Sequence, residues 1–75
     1  MTMVKFEFDY VEREGYDALQ EVKEAAKMCE GYIVVYEKFG PGGGNPLFKV
    51  EVEHGAMFEI WLKSKGFDDP EEYRA

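Results

Sequence analysis

The amino-acid sequence predicts an α+β fold in the order βαββα, with a three-stranded sheet and two helices on one of its faces. Three segments carry the alternating or β-branched apolar pattern of strands, and two others place apolar residues at helical spacing. Glycine and proline separate the last two strands from each other. Because 75 residues supply material for one core only, we expect residues 1–75 to form a single domain.

The first half of the chain predicts a strand followed by a helix. Residues 4–10 alternate, with Val4, Phe6, Phe8 and Tyr10 on one side and Lys5, Glu7 and Asp9 on the other. Residues 17–30 carry apolar side chains three and four positions apart, namely Leu19, Val22, Ala26 and Cys29. Asp17 has the chemistry of an N-cap, and Gly31 suits the left-handed position after a helix.

A β-hairpin with a long tip is predicted next. Residues 32–39 are β-branched and aromatic, and residues 47–53 alternate, so both segments predict strands. The connecting residues 40–46, Gly-Pro-Gly-Gly-Gly-Asn-Pro, exclude a helix or a ladder. The two strands are therefore expected to be antiparallel.

The last part of the chain predicts a second helix and a short turn. Residues 56–65 return to helical spacing, and Gly66 suits a C-terminal cap with Phe67 as its hydrophobic companion. Asp69 and Pro70 are then typical of a helix start, which predicts a short turn over 69–73.

Two strand orders are compatible with these elements. The segment 32–39 has apolar groups on both faces, which favours it as the central strand and gives the order 1-2-3. The competing order places the third strand between the other two, as in half of a split β-α-β arrangement. We expect the first order.

Composition excludes several classes of function. A net charge of -7 opposes electrostatic binding to nucleic acid or to an anionic membrane. One cysteine and one histidine are too few for a zinc site or a disulfide, and we expect Cys29 and His54 to be structural. We therefore expect no catalytic residues, no metal and no cofactor. Without an apolar block near its start, the chain is expected to be cytoplasmic.

The uncovered face of the sheet is the first candidate site. The alternation places an aromatic stripe flanked by charges there, with the candidate partner-binding residues Tyr32, Tyr36, Lys38, Glu51 and Glu53. The alternative interpretation is an ordinary solvated sheet face. Acidic residues also gather in two stretches, 9–17 and 68–72, which would suit a partner with a basic surface.

The glycine-rich loop is the second candidate. Successive backbone N–H groups at Gly42, Gly43, Gly44 and Asn45 could form an anion nest for a phosphate-bearing ligand. The loop lacks the lysine of a P-loop and is followed by a strand, so a plain hairpin tip is the favoured interpretation.

The segment from Ile33 to Val52, with the Gly-Pro-Gly-Gly-Gly-Asn-Pro loop between two strands and an aromatic helix after it, resembles small uncharacterised accessory proteins of bacteriophages. The resemblance implies an inhibitor of a host defence protein, acting in the bacterial cytoplasm. We predict a small acidic protein-binding module, not an enzyme, which forms a homodimer and binds a basic protein partner. The alternative is an oligomeric protein that sequesters a nucleotide or similar phosphate-bearing molecule.

Overall fold

The computed structural model describes residues 2–11, 17–38 and 44–75. The α+β architecture and the element order predicted from the sequence are confirmed. The elements are β1 (Val4–Asp9), α1 (Ala18–Met28), β2 (Gly31–Glu37), β3 (Leu47–Val52), α2 (Gly55–Ser64) and a C-terminal 3-10 helix (Pro70–Tyr73). The predicted strand end at Phe39 and the loop residues 40–43 lie outside the described residues.

The strand order is β1-β3-β2, and every pairing is antiparallel. The expected order, with the second strand in the centre, is therefore wrong, and the competing split arrangement is right. Within β3, Phe48, Val50 and Val52 are all buried, as a central strand requires. The central position was predicted because β2 has apolar side chains on both faces. In the structure these side chains belong to an edge strand, on which Tyr32 and Val34 are exposed.

A β-bulge interrupts the pairing of β2 with β3. Ile33 lies opposite Val50 and Val35 lies opposite Lys49, so Val34 is an extra residue on β2. A one-residue shift exchanges the two faces of a strand. After the bulge, Tyr36 therefore lies opposite Phe48, on the face that the helices cover.

Both helices contribute to one buried cluster on the same face of the sheet. From α1 come Ala18, Val22, Ala25 and Ala26, with Cys29 directly after the helix. From α2, the ring of Phe58 lies 4.9 Å from the Phe6 ring and 5.9 Å from the Phe8 ring, measured between centroids. Phe58 therefore joins α2 to β1.

The helix ends show how local chemistry positions the strands. The Asp17 side chain accepts a hydrogen bond from the Gln20 N–H (3.1 Å), which confirms the predicted N-cap. Gly66 has a φ of 100°, and the Phe67 N–H donates to the Leu62 carbonyl, as predicted for the end of α2. At the end of α1, however, the left-handed residue is Glu30, with a φ of 55°, and not Gly31.

The two edges of the sheet differ. Along β1, the Ala75 N–H donates to the Lys5 carbonyl (2.9 Å), and Arg74 forms a bridge with Phe6. The Arg74 guanidinium also pairs with Glu59 and lies over the Phe6 ring. The C-terminal segment therefore covers the β1 edge, whereas among the described residues β2 pairs only with β3.

Candidate protein-binding surfaces

The sheet face opposite the helices, called the open sheet face below, is charged where β1 and β3 meet. Lys5 lies opposite Glu51, and Glu7 lies opposite Lys49. Opposite charges placed across neighbouring strands stabilise a sheet by roughly 0.2–1 kcal/mol per pair. This half of the open sheet face therefore fits the alternative interpretation, an ordinary solvated sheet face.

The five predicted partner-binding residues do not form one patch. Tyr32 is exposed and lies opposite Glu51 on the open sheet face. Tyr36 is on the other face, with its ring 5.1 Å from the Phe48 ring, so its predicted place in the stripe is wrong. Lys38 is exposed beyond the end of β2, and Glu53 follows β3 beside Glu30.

Glu30, Glu53 and His54 gather where α1 leads into β2 and β3 leads into α2. The backbone N–H of Glu53 donates to the Glu30 carbonyl (3.2 Å), and that of His54 donates to the Cys29 carbonyl (3.1 Å). The Nε2 atom of His54 lies 3.2 Å from Oε2 of Glu30. These contacts therefore place Glu30 next to both Glu53 and His54.

A hydrogen bond with the Glu30 side chain raises the pKa of Glu53 above its ordinary 4.5. Partial burial and the negative charge of Glu30 raise it further, while His54 lowers it. The folded chain therefore binds this proton more tightly than the unfolded chain does. Its contribution to stability is complete below the ordinary pKa and is lost as the pH rises through the raised one.

Glu53→Gln is therefore expected to raise the melting temperature at pH 7, because it removes a charge that Glu30 repels. The gain over wild type should shrink as the pH falls towards the ordinary pKa of 4.5, where Glu53 itself becomes protonated. Thermal unfolding followed by circular dichroism across this range measures the difference. Glu71→Gln removes the same charge at an exposed position and is the control. A Glu53→Gln gain that does not depend on pH would contradict this explanation.

A cleft of about 680 Å³ opens where the end of β1 meets the turn between α2 and the 3-10 helix. We call it the acidic cleft. Its described lining consists of Asp9, Tyr10, Val11, Ser64, Lys65, Gly66, Phe67, Asp68, Asp69, Glu72 and Tyr73. The volume falls within the range of about 300–1,000 Å³ that is usual for ligand sites.

Aromatic rings form the apolar part of the acidic cleft. The rings of Phe67 and Tyr73 are nearly perpendicular, with centroids 5.1 Å apart, and the Phe67 and Tyr10 centroids are 6.5 Å apart. Tyr10 is buried, and its hydroxyl donates to Glu21. Since these rings also pack against the core, they are held in place before any ligand arrives.

Four exposed acidic residues are among those that line the acidic cleft: Asp9, Asp68, Asp69 and Glu72. Lys65 is the one basic side chain among the described lining residues. Its ammonium lies 3.3 Å from the Glu21 carboxylate and 6.0 Å from the centre of the Trp61 ring. Because Glu21 already pairs with Lys65, the carboxylates of the lining dominate its electrostatic character.

The two acidic stretches are evident in the sequence, but the cleft that they line is not. Asp9 ends β1, while Asp68, Asp69 and Glu72 follow α2, so only the tertiary fold brings them together. The signal that could have joined them is aromatic. Tyr10 and Phe67 each lie directly beside one of the acids and belong to the same ring cluster.

The remaining candidates contribute no described site. Gly44 and Asn45 of the glycine-rich loop are exposed, while Gly42 and Gly43 lie outside the described residues. Cys29 is buried, and that burial raises the pKa of its thiol, so the reactive thiolate is disfavoured. Across residues 2–11, 17–38 and 44–75, no three His, Cys, Asp or Glu side chains are grouped to hold a metal ion. Within the same ranges, neither helix is long and apolar enough to cross a bilayer.

No protein-family model, curated protein or solved structure matches this chain. The resemblance to bacteriophage accessory proteins therefore stays a prediction.

Proposed function

We propose that this chain is a non-enzymatic protein-binding module that recognises a basic partner through the acidic cleft. The observation that carries the proposal is a cleft that four exposed acidic residues line together with a cluster of packed aromatic rings. This surface combines charge with apolar contact, as recognition of a lysine or arginine side chain requires.

Two physical effects favour a cationic side chain in the cleft. Carboxylates attract the approaching charge, and the net charge of -7 strengthens that attraction at long range. Once inside, the aliphatic stem and the charged head of arginine or lysine can pack on an aromatic ring. Exposed ion pairs are each worth up to about 1 kcal/mol, so several contacts must act together.

The finer proposal is that the partner is a protein of a bacterial host whose basic surface normally meets nucleic acid. Its support is the resemblance of the glycine-rich hairpin to bacteriophage accessory proteins, together with the acidity of the chain. On this proposal, the chain occupies the basic surface and inhibits the partner in the bacterial cytoplasm. Competition is then electrostatic, so it weakens as salt rises.

The double variant Asp68→Asn/Asp69→Asn tests the cleft. Binding of a fluorescent hexa-arginine peptide, followed by anisotropy, should weaken about tenfold, since two exposed charge pairs are lost. The Asp69 side chain makes no capping hydrogen bond to the 3-10 helix, so the fold should survive. Wild-type binding should also fall steeply between low and physiological ionic strength.

The matched control is Glu7→Gln/Glu24→Gln, which removes the same two charges from the open sheet face and from α1. It should bind the peptide nearly as well as the wild type. Equal loss in both double variants would show that only net charge matters and would contradict a role for the cleft.

A further inference from the structure

The β2 edge of the sheet is open along its described length, in contrast to the β1 edge. The C-terminal segment pairs with the β1 edge through the hydrogen bond from the Ala75 N–H and the bridge between Arg74 and Phe6. An uncovered strand offers a row of backbone donors and acceptors that another strand can pair with. Among the described residues, the β1 edge is therefore covered and the β2 edge is exposed.

The exposed edge is also apolar. Tyr32 is 56% exposed and Val34 is 49% exposed, although β2 is built from the β-branched and aromatic residues that favour strands. Proteins commonly blunt open edges with lysine, proline or very short strands. Over its seven residues, from Gly31 to Glu37, β2 contains neither lysine nor proline.

We propose that β2 pairs antiparallel with β2 of a second copy, across a twofold axis near Val34, and so forms a continuous six-stranded sheet. This inference does not depend on the function proposed for the acidic cleft. The partner at this edge is a second copy of the chain because the edge is complementary to itself, as a twofold contact requires.

Charge is the first source of this complementarity. The beginning of β2 lies among acids, with Glu30 before it and Glu51 opposite Tyr32. Beyond the bulge, Lys49 lies opposite Val35, and Lys38 follows Glu37, the exposed last residue of β2. This end carries two positive charges and one negative charge, so antiparallel pairing sets the acidic beginning of each copy against it, whereas parallel pairing would place the two acidic beginnings together.

The bulge is the second source. An extra residue bends an edge strand and makes it a poor template for a flat strand. Across a twofold axis near Val34, however, each bulge meets an identical bulge, so both strands bend in the same way. This geometry favours a second copy over an arbitrary extended peptide.

The pairing would leave the acidic clefts free. Since β3 separates β1 from β2, the end of β1 lies about 10 Å from the β2 edge, at two strand spacings. Asp9 and Tyr10 line the cleft at that far side. The dimer therefore presents two clefts facing away from its axis and can bind a partner bivalently.

Size-exclusion chromatography with light scattering tests the proposal on the full chain. The wild type should elute with twice the chain mass of 8.7 kDa, and Val34→Lys should elute as the monomer because a charged edge opposes pairing. Ile60→Lys, which adds the same charge at a 71% exposed position of α2, should remain dimeric. A monomeric wild type, a dimeric Val34→Lys or a monomeric Ile60→Lys would each overturn the proposal.

Amide hydrogen exchange of the wild type gives a test that needs no variant. Backbone amides in residues 32–37 that point away from β3 should exchange more slowly at protein concentrations that favour the dimer, and faster on dilution. Amides of β1 should change little, because the C-terminal segment already covers that edge. Exchange in β2 that is independent of concentration would overturn the proposal.

Discussion

Replacing Phe58 by alanine is expected to lower the free energy of unfolding by about 3–5 kcal/mol. The side chain is fully buried, and its ring lies 4.9 Å from Phe6 and 5.4 Å from Trp61 between centroids. A chain of 75 residues has a total stability of roughly 4–11 kcal/mol, so this one change removes a large part of it. Urea unfolding followed by circular dichroism measures the loss.

The neighbouring Met57 supplies the control for this prediction. Met57 belongs to the same helix but is 46% exposed, so Met57→Ala should change the stability by about 0.5 kcal/mol or less. If the two variants lose similar amounts, α2 is not joined to β1 through Phe58. The described core would then be wrong at its centre.

Gly31→Ala is expected to cost about 2 kcal/mol or more, although it adds only one methyl group. An ideal Cβ at this position would lie 2.1 Å from the backbone oxygen of Glu51 and 2.6 Å from the Cα of Val52. Because both contacts are with the backbone of the central strand, no side chain can move aside. The substitution therefore forces β2 away from β3 at the start of their ladder.

Gly44→Ala is the matched control, because no heavy atom of the described residues, other than its chain neighbours, lies within 4 Å of a Cβ added there. It should be neutral, or stabilising by about 0.4–1 kcal/mol through the lower entropy of the unfolded chain. The urea unfolding midpoints of both variants, compared with that of the wild type, measure the two changes in stability. A tolerated Gly31→Ala would contradict the close approach of β2 to β3.

The local pattern of the sequence predicts most of the fold. Apolar and polar residues alternate strictly in residues 4–10 and alternate again in residues 47–53, which correctly assigns Phe6, Phe8 and Phe48 to the covered face. Capping chemistry also identifies Asp17 and Gly66 correctly, because those signals act over three or four residues. Local patterns in the sequence therefore predict the strands, their covered faces and the helix ends.

Strand order and the face of Tyr36 depend on contacts between distant residues. Two apolar faces are typical of a central strand, but β2 is an edge strand on which Tyr32 and Val34 are exposed. The bulge at Val34 leaves no trace in an alternation count, yet it turns Tyr36 from the open sheet face to the core. The candidate site also differs from the predicted one because it depends on distant contacts: the acidic cleft joins residues from opposite ends of the chain.

Nuclear magnetic resonance of the isotopically labelled chain, titrated with the hexa-arginine peptide, tests residue by residue whether a basic partner binds in the acidic cleft. The largest amide shift changes are expected at Asp9 and in residues 66–72, and Asp68→Asn/Asp69→Asn should need about tenfold more peptide to reach them. Largest changes at Tyr32 and Glu51 on the open sheet face, or changes spread evenly over all acidic residues, would contradict binding in the acidic cleft.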